Sequence, residues 1–127
     1  MIEEPDEPRE AEIAWEGDSL EIISEFPLEV KIDLGHQLRL LQQGQQPTDY
    51  RPLTSIDSGV FELRDEDERA WYRVIYLSRI NDVIHVLHCF EKKSKETPKN
   101  DVLLAERRLK TVRARIAEEK KHAKRNR

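Results

Sequence analysis

Residues 60–98 read VFELRDEDERAWYRVIYLSRINDVIHVLHCFEKKSKETP, and this stretch decides the fold. It holds three apolar runs of strand character. Residues 60–64 alternate, with Phe61 and Leu63 on one face. Residues 71–77 are apolar on both faces apart from Arg73 and the tyrosine hydroxyls, as a central strand should be. Residues 83–90 are similar, interrupted by His85 and His88. Residues 65–69 supply the first turn and Asn81-Asp82 the second. Connections this short predict an antiparallel meander.

Upstream, residues 28–43 place Val30, Leu34, Leu38 and Leu41 on one helical face, and Gly44 can close that helix in a left-handed cap. Gly35 inside it costs about 1 kcal/mol against alanine. Gly17-Asp18-Ser19 begins a short helix carrying Leu20 and Ile23, which ends at Phe26-Pro27. Residues 12–16 alternate like a strand, with Ile13 and Trp15 together. Residues 44–59 read as a turn-rich connector, and residues 1–12 as a disordered acidic tail. Downstream, Thr97-Pro98 is an N-cap with proline at the first helical position. Val102, Ala105, Leu109, Val112 and Ile116 then form a narrow helical seam. The seam packs on the sheet or on a second copy, the latter giving a homodimer through the C-terminal helix. Residues 118–127 are expected to fray into a basic tail, leaving one domain over 13–117.

A chain of 127 residues has room for one core. No window reaches the roughly 18 consecutive apolar residues of a membrane span. The N-terminus, MIEEPDEPRE, is acidic and lacks an apolar signal core, which argues against secretion. Cys89, the sole cysteine, sits inside an apolar run and reads as a reduced, buried thiol of a cytoplasmic protein. The net charge of −4 hides an asymmetry. Residues 1–33 carry 12 acids and 2 bases, residues 34–59 carry 2 of each, and residues 60–127 carry 12 acids and 18 bases. The basic half points to an anionic partner, or to a solvated basic helix.

If Asn81-Asp82 is a two-residue loop, Ile80 pairs with Val83 and Arg73 stands opposite Phe90. Strand alternation then puts His88 and Lys92 on the same face. Pairing Arg64 with Trp71 sets Glu62 opposite Arg73. One sheet face would then gather Glu62, Arg64, Arg73, His88 and Lys92, with Trp71 and Phe90 between them. A slip of one residue would undo this. Such a face suits single-stranded RNA, because cations neutralise phosphates and aromatic planes stack bases. It could also cleave RNA. Attack of a 2′-hydroxyl on the adjacent phosphate needs a base, cations for the charge on phosphorus, and an acid for the departing 5′-oxygen. Arg73, Arg64 and a lysine at 92 or 93 fit the cationic role, and His88 or Glu62 the proton transfers. Each has a plainer reading: arginines paired with Glu62 and the turn acids, His88 packed in its strand, and Lys92, Lys93 and Lys95 as solubilising charge. His85, His88 and Cys89 make no metal motif, since His85 and Cys89 are expected on one face and His88 on the other. There is no glycine-rich phosphate loop.

These residues also carry a resemblance. Glu62-Leu63-Arg64, Tyr72-Arg73-Val74, Leu87-His88-Cys89-Phe90, Lys92-Lys93 and Thr97-Pro98, followed by an A-E-R-R-L helix, resemble the phage-derived HigB-like toxins of the RelE superfamily over about residues 13–116. The resemblance implies an α+β fold, with an N-terminal strand and two helices packed on an antiparallel sheet and a closing C-terminal helix. It implies the toxin of a type II toxin–antitoxin pair, a metal-independent endoribonuclease that needs no cofactor and cuts mRNA on the ribosome. The partner would be a cognate helix-turn-helix antitoxin. Arg64, Arg73, Lys92 and Lys93 match the basic residues of the family's RNA-facing site, while Lys95 and Phe90 extend the expected RNA contact. Related toxins act on DNA gyrase instead, and a non-enzymatic phage-derived binding protein is a third reading. The acidic first third and the tail after Ile116 lie outside the pattern.

Overall fold

The computed structural model describes residues 10–94 and 98–125. The elements run β1 (Glu12–Trp15), α1 (Ser19–Ser24), α2 (Leu28–Gln42), β2 (Tyr50–Pro52), β3 (Val60–Glu66), β4 (Trp71–Ile80), β5 (Val83–Lys92) and α3 (Lys99–Arg125). The five strands form one sheet in the order β1-β5-β4-β3-β2. β1 lies parallel to β5 and the other three pairings are antiparallel. The sheet is therefore mixed, where the sequence suggested an antiparallel one. α1 and α2 cross from β1 back over the sheet, and the chain only later returns beside β1 as β5.

Each face of the sheet has its own core. Ile23 and Phe26 together with Val30, Leu34 and Leu38 of α2 pack on Leu63, Tyr72, Val74, Tyr76 and Val86. On the opposite face Ala105, Leu109 and Val112 of α3 pack on Val60, Ile75, Leu77, Leu87 and Phe90. Burial on both faces explains why β4 and β5 read as nearly continuous apolar runs. The seam of α3 thus packs on its own sheet. Cys89 is fully buried and its thiol is pushed up to about 12 by burial, so it is inert.

Local sequence sets the turns as expected. α2 closes on Gly44 at φ +75°, with Gly44 N–H donating to Leu41 O and Gln45 N–H to Leu40 O. Asn81 and Asp82 both take positive φ, the tight hairpin turn that lets Ile80 pair with Val83.

Four expectations need correction. The connector contains β2, a short edge strand that Tyr50 favours and Pro52 confines to the edge. The acidic tail stops earlier than residue 12: Ala11 is buried, its N–H bonded to Gln42 O, and Glu12 begins β1. Residues 1–9, and with them the rest of the expected disorder, lie outside the described residues, as do Lys95 and Thr97. The basic tail is helical, since α3 runs to Arg125 with residues 117–125 exposed.

The fourth correction concerns register. β3 extends to Glu66, and the turn is tightened by Asp67, whose Oδ1 accepts the N–H groups of Arg69 and Ala70. Arg64 therefore faces Arg73, and Glu62 faces Ile75. The slip from the expected pairing is two residues, so every side chain keeps its face.

Candidate functional site

Arg73 is the centre of a cationic cluster on the α3 side of the sheet. Arg64 opposes it on β3 and Phe90 opposes it on β5. Glu62, two residues before Arg64, lies diagonal to Arg73, and Arg51 of β2 stands directly opposite Glu62. Lys92 lies two residues beyond Phe90, opposite Trp71. Strand alternation and pairing thus gather Arg51, Arg64, Arg73 and Lys92 around one carboxylate.

That carboxylate is wholly buried, and a single oxygen serves two guanidinium groups. Glu62 Oε1 lies 3.2 Å from Arg51 Nε and 3.4 Å from Arg73 Nε. Arg73 is 6% exposed and its Nη1 donates to the carbonyl oxygens of Tyr72 at 2.9 Å and Asp65 at 3.2 Å. Arg64 Nε is 3.9 Å from Asp49 Oδ1. Among the described residues, four buried polar atoms lack a hydrogen-bond partner within the protein: Arg64 Nε, Arg73 Nε, Glu62 Oε2 and Asp65 Oδ2. Arg64 Nε, Arg73 Nε and Glu62 Oε2 lie on the face of the cluster, and Asp65 Oδ2 on the opposite side of β3. A shallow depression bordered by Arg64, Trp71 and Arg73 opens over the cluster, with Asp49, Asp65 and Glu66 at the rim.

Burial pulls the pKa of Arg73 below its ordinary value. Glu62 opposes this, while Arg64 and Arg51 add to it. Lys92, 5% exposed, is lowered for the same first reason, burial, and next by Arg73. The neighbouring cations thus make Arg73 and Lys92 harder to hold charged. On the opposite side of β3, the Asp65 carboxyl is pushed up by burial and by the nearby Asp33 and Asp49.

The structure brings together Glu62, Arg64, Arg73 and Lys92 and adds Arg51, which the sequence reading left in a connector. The signal was Tyr50 beside Arg51 and Pro52, a β-former next to an edge-compatible proline. Lys93 is exposed and bonds to Arg69 O in the hairpin turn. Phe90 was expected to stack a base, but it is 5% exposed beneath α3, where the His88 ring stacks on it. Trp71, partly exposed at the depression, is the aromatic plane a ligand could meet.

His88 is likewise committed elsewhere. Its Nε2 lies 2.6 Å from Asp101 Oδ1 and its Nδ1 3.4 Å from Arg108 Nη1. Arginine can only donate, so Nδ1 accepts and the proton on Nε2 goes to Asp101. Both ring nitrogens are engaged and the ring is buried, a geometry that fastens α3 and gives no access to substrate. The proton-transfer role expected of His88 draws no support from this geometry. Arg108 also bonds Leu87 O and Asp18, and Gly17, at φ +56°, lies so close that a Cβ there would overlap the guanidinium. A second tie joins His85 Nδ1 to Glu16 at 3.0 Å, and Glu16 in turn to Arg115 at 2.8 Å. His85 reaches that position because a bulge lets Ile75 pair with His88 but Tyr76 with Val86. The extra residue puts His85 and His88 on one face and Cys89 on the other, against the expected alternation. Among the described residues no group of three or more His, Cys, Asp or Glu is placed to hold a metal ion. Nor does any described helix have the length and apolarity to cross a membrane.

A mixed five-stranded sheet covered by helices on both faces, with a cationic cluster at one end of its central strands, defines a small α+β protein. The chain belongs to the family described as phage derived protein Gp49-like (DUF891), which matches residues 21–110. That family is related to toxins of toxin–antitoxin systems. The match begins within α1 and ends within α3, and so includes every residue of the cluster. No curated protein matches the chain.

Proposed function

We propose that this protein is the toxin of a type II toxin–antitoxin pair, a cytoplasmic endoribonuclease that cuts mRNA on the ribosome and is neutralised by a cognate helix-turn-helix antitoxin. The observation that carries the reading is the gathering of Arg51, Arg64, Arg73 and Lys92 around the single buried carboxylate of Glu62. Cleavage by a neighbouring 2′-hydroxyl requires positive charge aimed at the phosphorus oxygens, and preorganised guanidinium groups supply it without a metal. Arg64, partly exposed at the depression, and Arg73 beside it would supply positive charge to the phosphate oxygens. Lys92, its pKa lowered by burial, is suited to give a proton to the departing 5′-oxygen. Glu62 fixes the fork of Arg73 and lies within the cluster as the candidate base. Trp71 offers a plane for a flanking base.

The test is induced expression in a bacterial host of the wild type and Arg73→Ala at matched protein levels, with mapping of mRNA 5′ ends. Growth arrest with new in-frame cuts, abolished by the substitution, is expected. Arrest with DNA damage and intact mRNA would instead indicate action on gyrase, and arrest indifferent to Arg73 would indicate a binding protein without chemistry.

A further inference from the structure

A pocket of about 360 Å³ opens on the α2 face of the sheet, where α2 ends at Gln42 and residues 44–47 take over as its wall. Its floor is aromatic. Phe61 and Tyr76, paired across β3 and β4, have ring centroids 5.8 Å apart and planes inclined by 24°. Tyr50 of β2 stands tilted, 6.2 Å from Phe61. Tyr50 and Phe61 are half-buried, so part of each ring is open. The wall is fixed in advance. Gln45 N–H donates to Leu40 O, Pro47 is buried, and Gln37 and Thr48 exchange two hydrogen bonds. A site that is already ordered loses little on binding.

Tyr76 sets the chemistry of the pocket. It is 3% exposed, yet its hydroxyl makes no hydrogen bond to any described residue. A buried tyrosine hydroxyl ordinarily finds a partner, and one that does not costs stability that phenylalanine would spare. The oxygen is not sealed off, and the pocket that Tyr76 lines is where it opens. Burial, and after it the neighbouring Tyr50, push its pKa up, so the hydroxyl stays protonated and can donate.

The lining narrows the occupant by elimination. Among the described residues no carboxylate borders the pocket, so an amine would find no counter-charge. Its one charged side chain, Arg79, is held by Asp82 at 2.6 Å, so an anion is not favoured either. An alkyl chain would shut the Tyr76 hydroxyl away unpaired. What fits is a neutral planar ring with hydrogen-bond acceptors on its edge. Such a ring can lie against Tyr50 and Phe61, accept from Tyr76, and meet the carboxamides of Gln45 and Gln46 at the mouth. Nucleobases have this chemistry: they stack on aromatic planes, and glutamine matches their edges. The volume lies in the range of roughly 300–1,000 Å³ usual for small-molecule sites. We propose that this pocket binds one nucleobase, carried by a free nucleoside or nucleotide or left unpaired in an RNA strand. Tyr50 and Phe61 adjoin Arg51 and Glu62 in the chain but face the other side of the sheet. The site is therefore separate from the cationic cluster, and it stands whether or not that cluster cleaves RNA.

The test titrates the full chain, followed by NMR, with adenosine, guanosine, cytidine and uridine, which carry no phosphate to engage the cationic cluster. Ribose is the control, and short unstructured RNA oligonucleotides are titrated in parallel. At least one nucleoside should bind at about 1 mM or tighter and ribose should not, with shifts at residues 44–47, Phe61 and Tyr76. Tyr76→Phe, which removes only the hydroxyl, should weaken binding about tenfold. Phe61→Leu should weaken it at least as much through lost stacking. Binding by the oligonucleotides alone, with the same dependence on Tyr76, would support the pocket and assign it to a base within a strand. Failure of nucleosides and oligonucleotides alike, or binding indifferent to both variants, would overturn the proposal. So would RNA binding lost in Arg73→Ala but kept in Tyr76→Phe, which would place the RNA on the cluster alone. Tyr76→Phe should melt no lower than the wild type; a lower melting temperature would show the hydroxyl already satisfied by the fold and would also overturn the proposal.

Discussion

Arg64 and Arg73 occupy directly opposed positions on neighbouring strands, β3 and β4, on the same face of the sheet. Like charges so placed are destabilising by themselves. Glu62 offsets part of the cost at Arg73, at 3.4 Å, and Asp49 part at Arg64, at 3.9 Å. What remains is unfavourable to folding and favourable to an anion. Violations of packing rules that a fold maintains at some expense are expected where it works.

Arg73→Lys should keep a positive charge and still fail. Lysine cannot reach Glu62, Asp65 O and Tyr72 O with one planar fork. Cleavage should fall by about 10²–10³, the usual effect of removing one transition-state donor. Stability should drop by about 1–3 kcal/mol as buried acceptors lose their donor. Primer-extension assays on translating ribosomes and urea melts would read the two effects separately.

Lys92 predicts an alkaline limit. Its pKa is lowered, by burial first and then by Arg73, so the protonated form is lost as pH rises through a value below the ordinary 10.5. Cleavage should decline across that window, and Lys92→Arg should move the decline to higher pH. Stability changes in the opposite sense. The unfolded chain keeps its proton up to 10.5 while the folded chain has released it, so the wild type should gain stability between the lowered value and 10.5. An unchanged pH profile in Lys92→Arg would remove the lysine from the chemistry.

Glu16 predicts an acid-sensitive anchor for α3. Burial raises its pKa, but the hydrogen bonds from His85 and Arg115 outweigh that and leave it below the ordinary 4.5. A depressed carboxylate stabilises fully above the unfolded value and progressively less as pH falls through the folded one. Glu16→Gln should therefore be less stable than the wild type at neutral pH, by about 1–3 kcal/mol. The gap should close below pH 4.5, which chemical denaturation at a series of pH values would detect.

Ending the chain after Ile116 should cost little. Residues 117–125 are helical but exposed, whereas Ala105, Leu109 and Val112 are buried against the sheet. The melting free energy should change by no more than about 0.5 kcal/mol. A larger loss would show that the basic extension is part of the folding unit.

The sequence by itself determined the strands 60–66, 71–80 and 83–92 to within a few residues, the two short turns, the amphipathic stripe of α2 and its Gly44 cap. These are local matters of periodicity, turn chemistry and chain connectivity, and they suffice to place Glu62, Arg64, Arg73 and Lys92 on one face. Even the wrong β3–β4 register kept that face, because the slip was by two. What only the tertiary structure decided was which of those side chains remain available. α3 folds over Phe90 and His88 and takes both into its own anchoring, through Asp101 and Arg108, residues distant in the chain. The bulge at Leu87 reverses the facing of His85 relative to Cys89, and β2 delivers Arg51 to Glu62 by a pairing across a loop of no strong pattern. Strand alternation is written in neighbouring residues. Burial is set by whatever comes to lie on top, and here that comes from the far end of the chain.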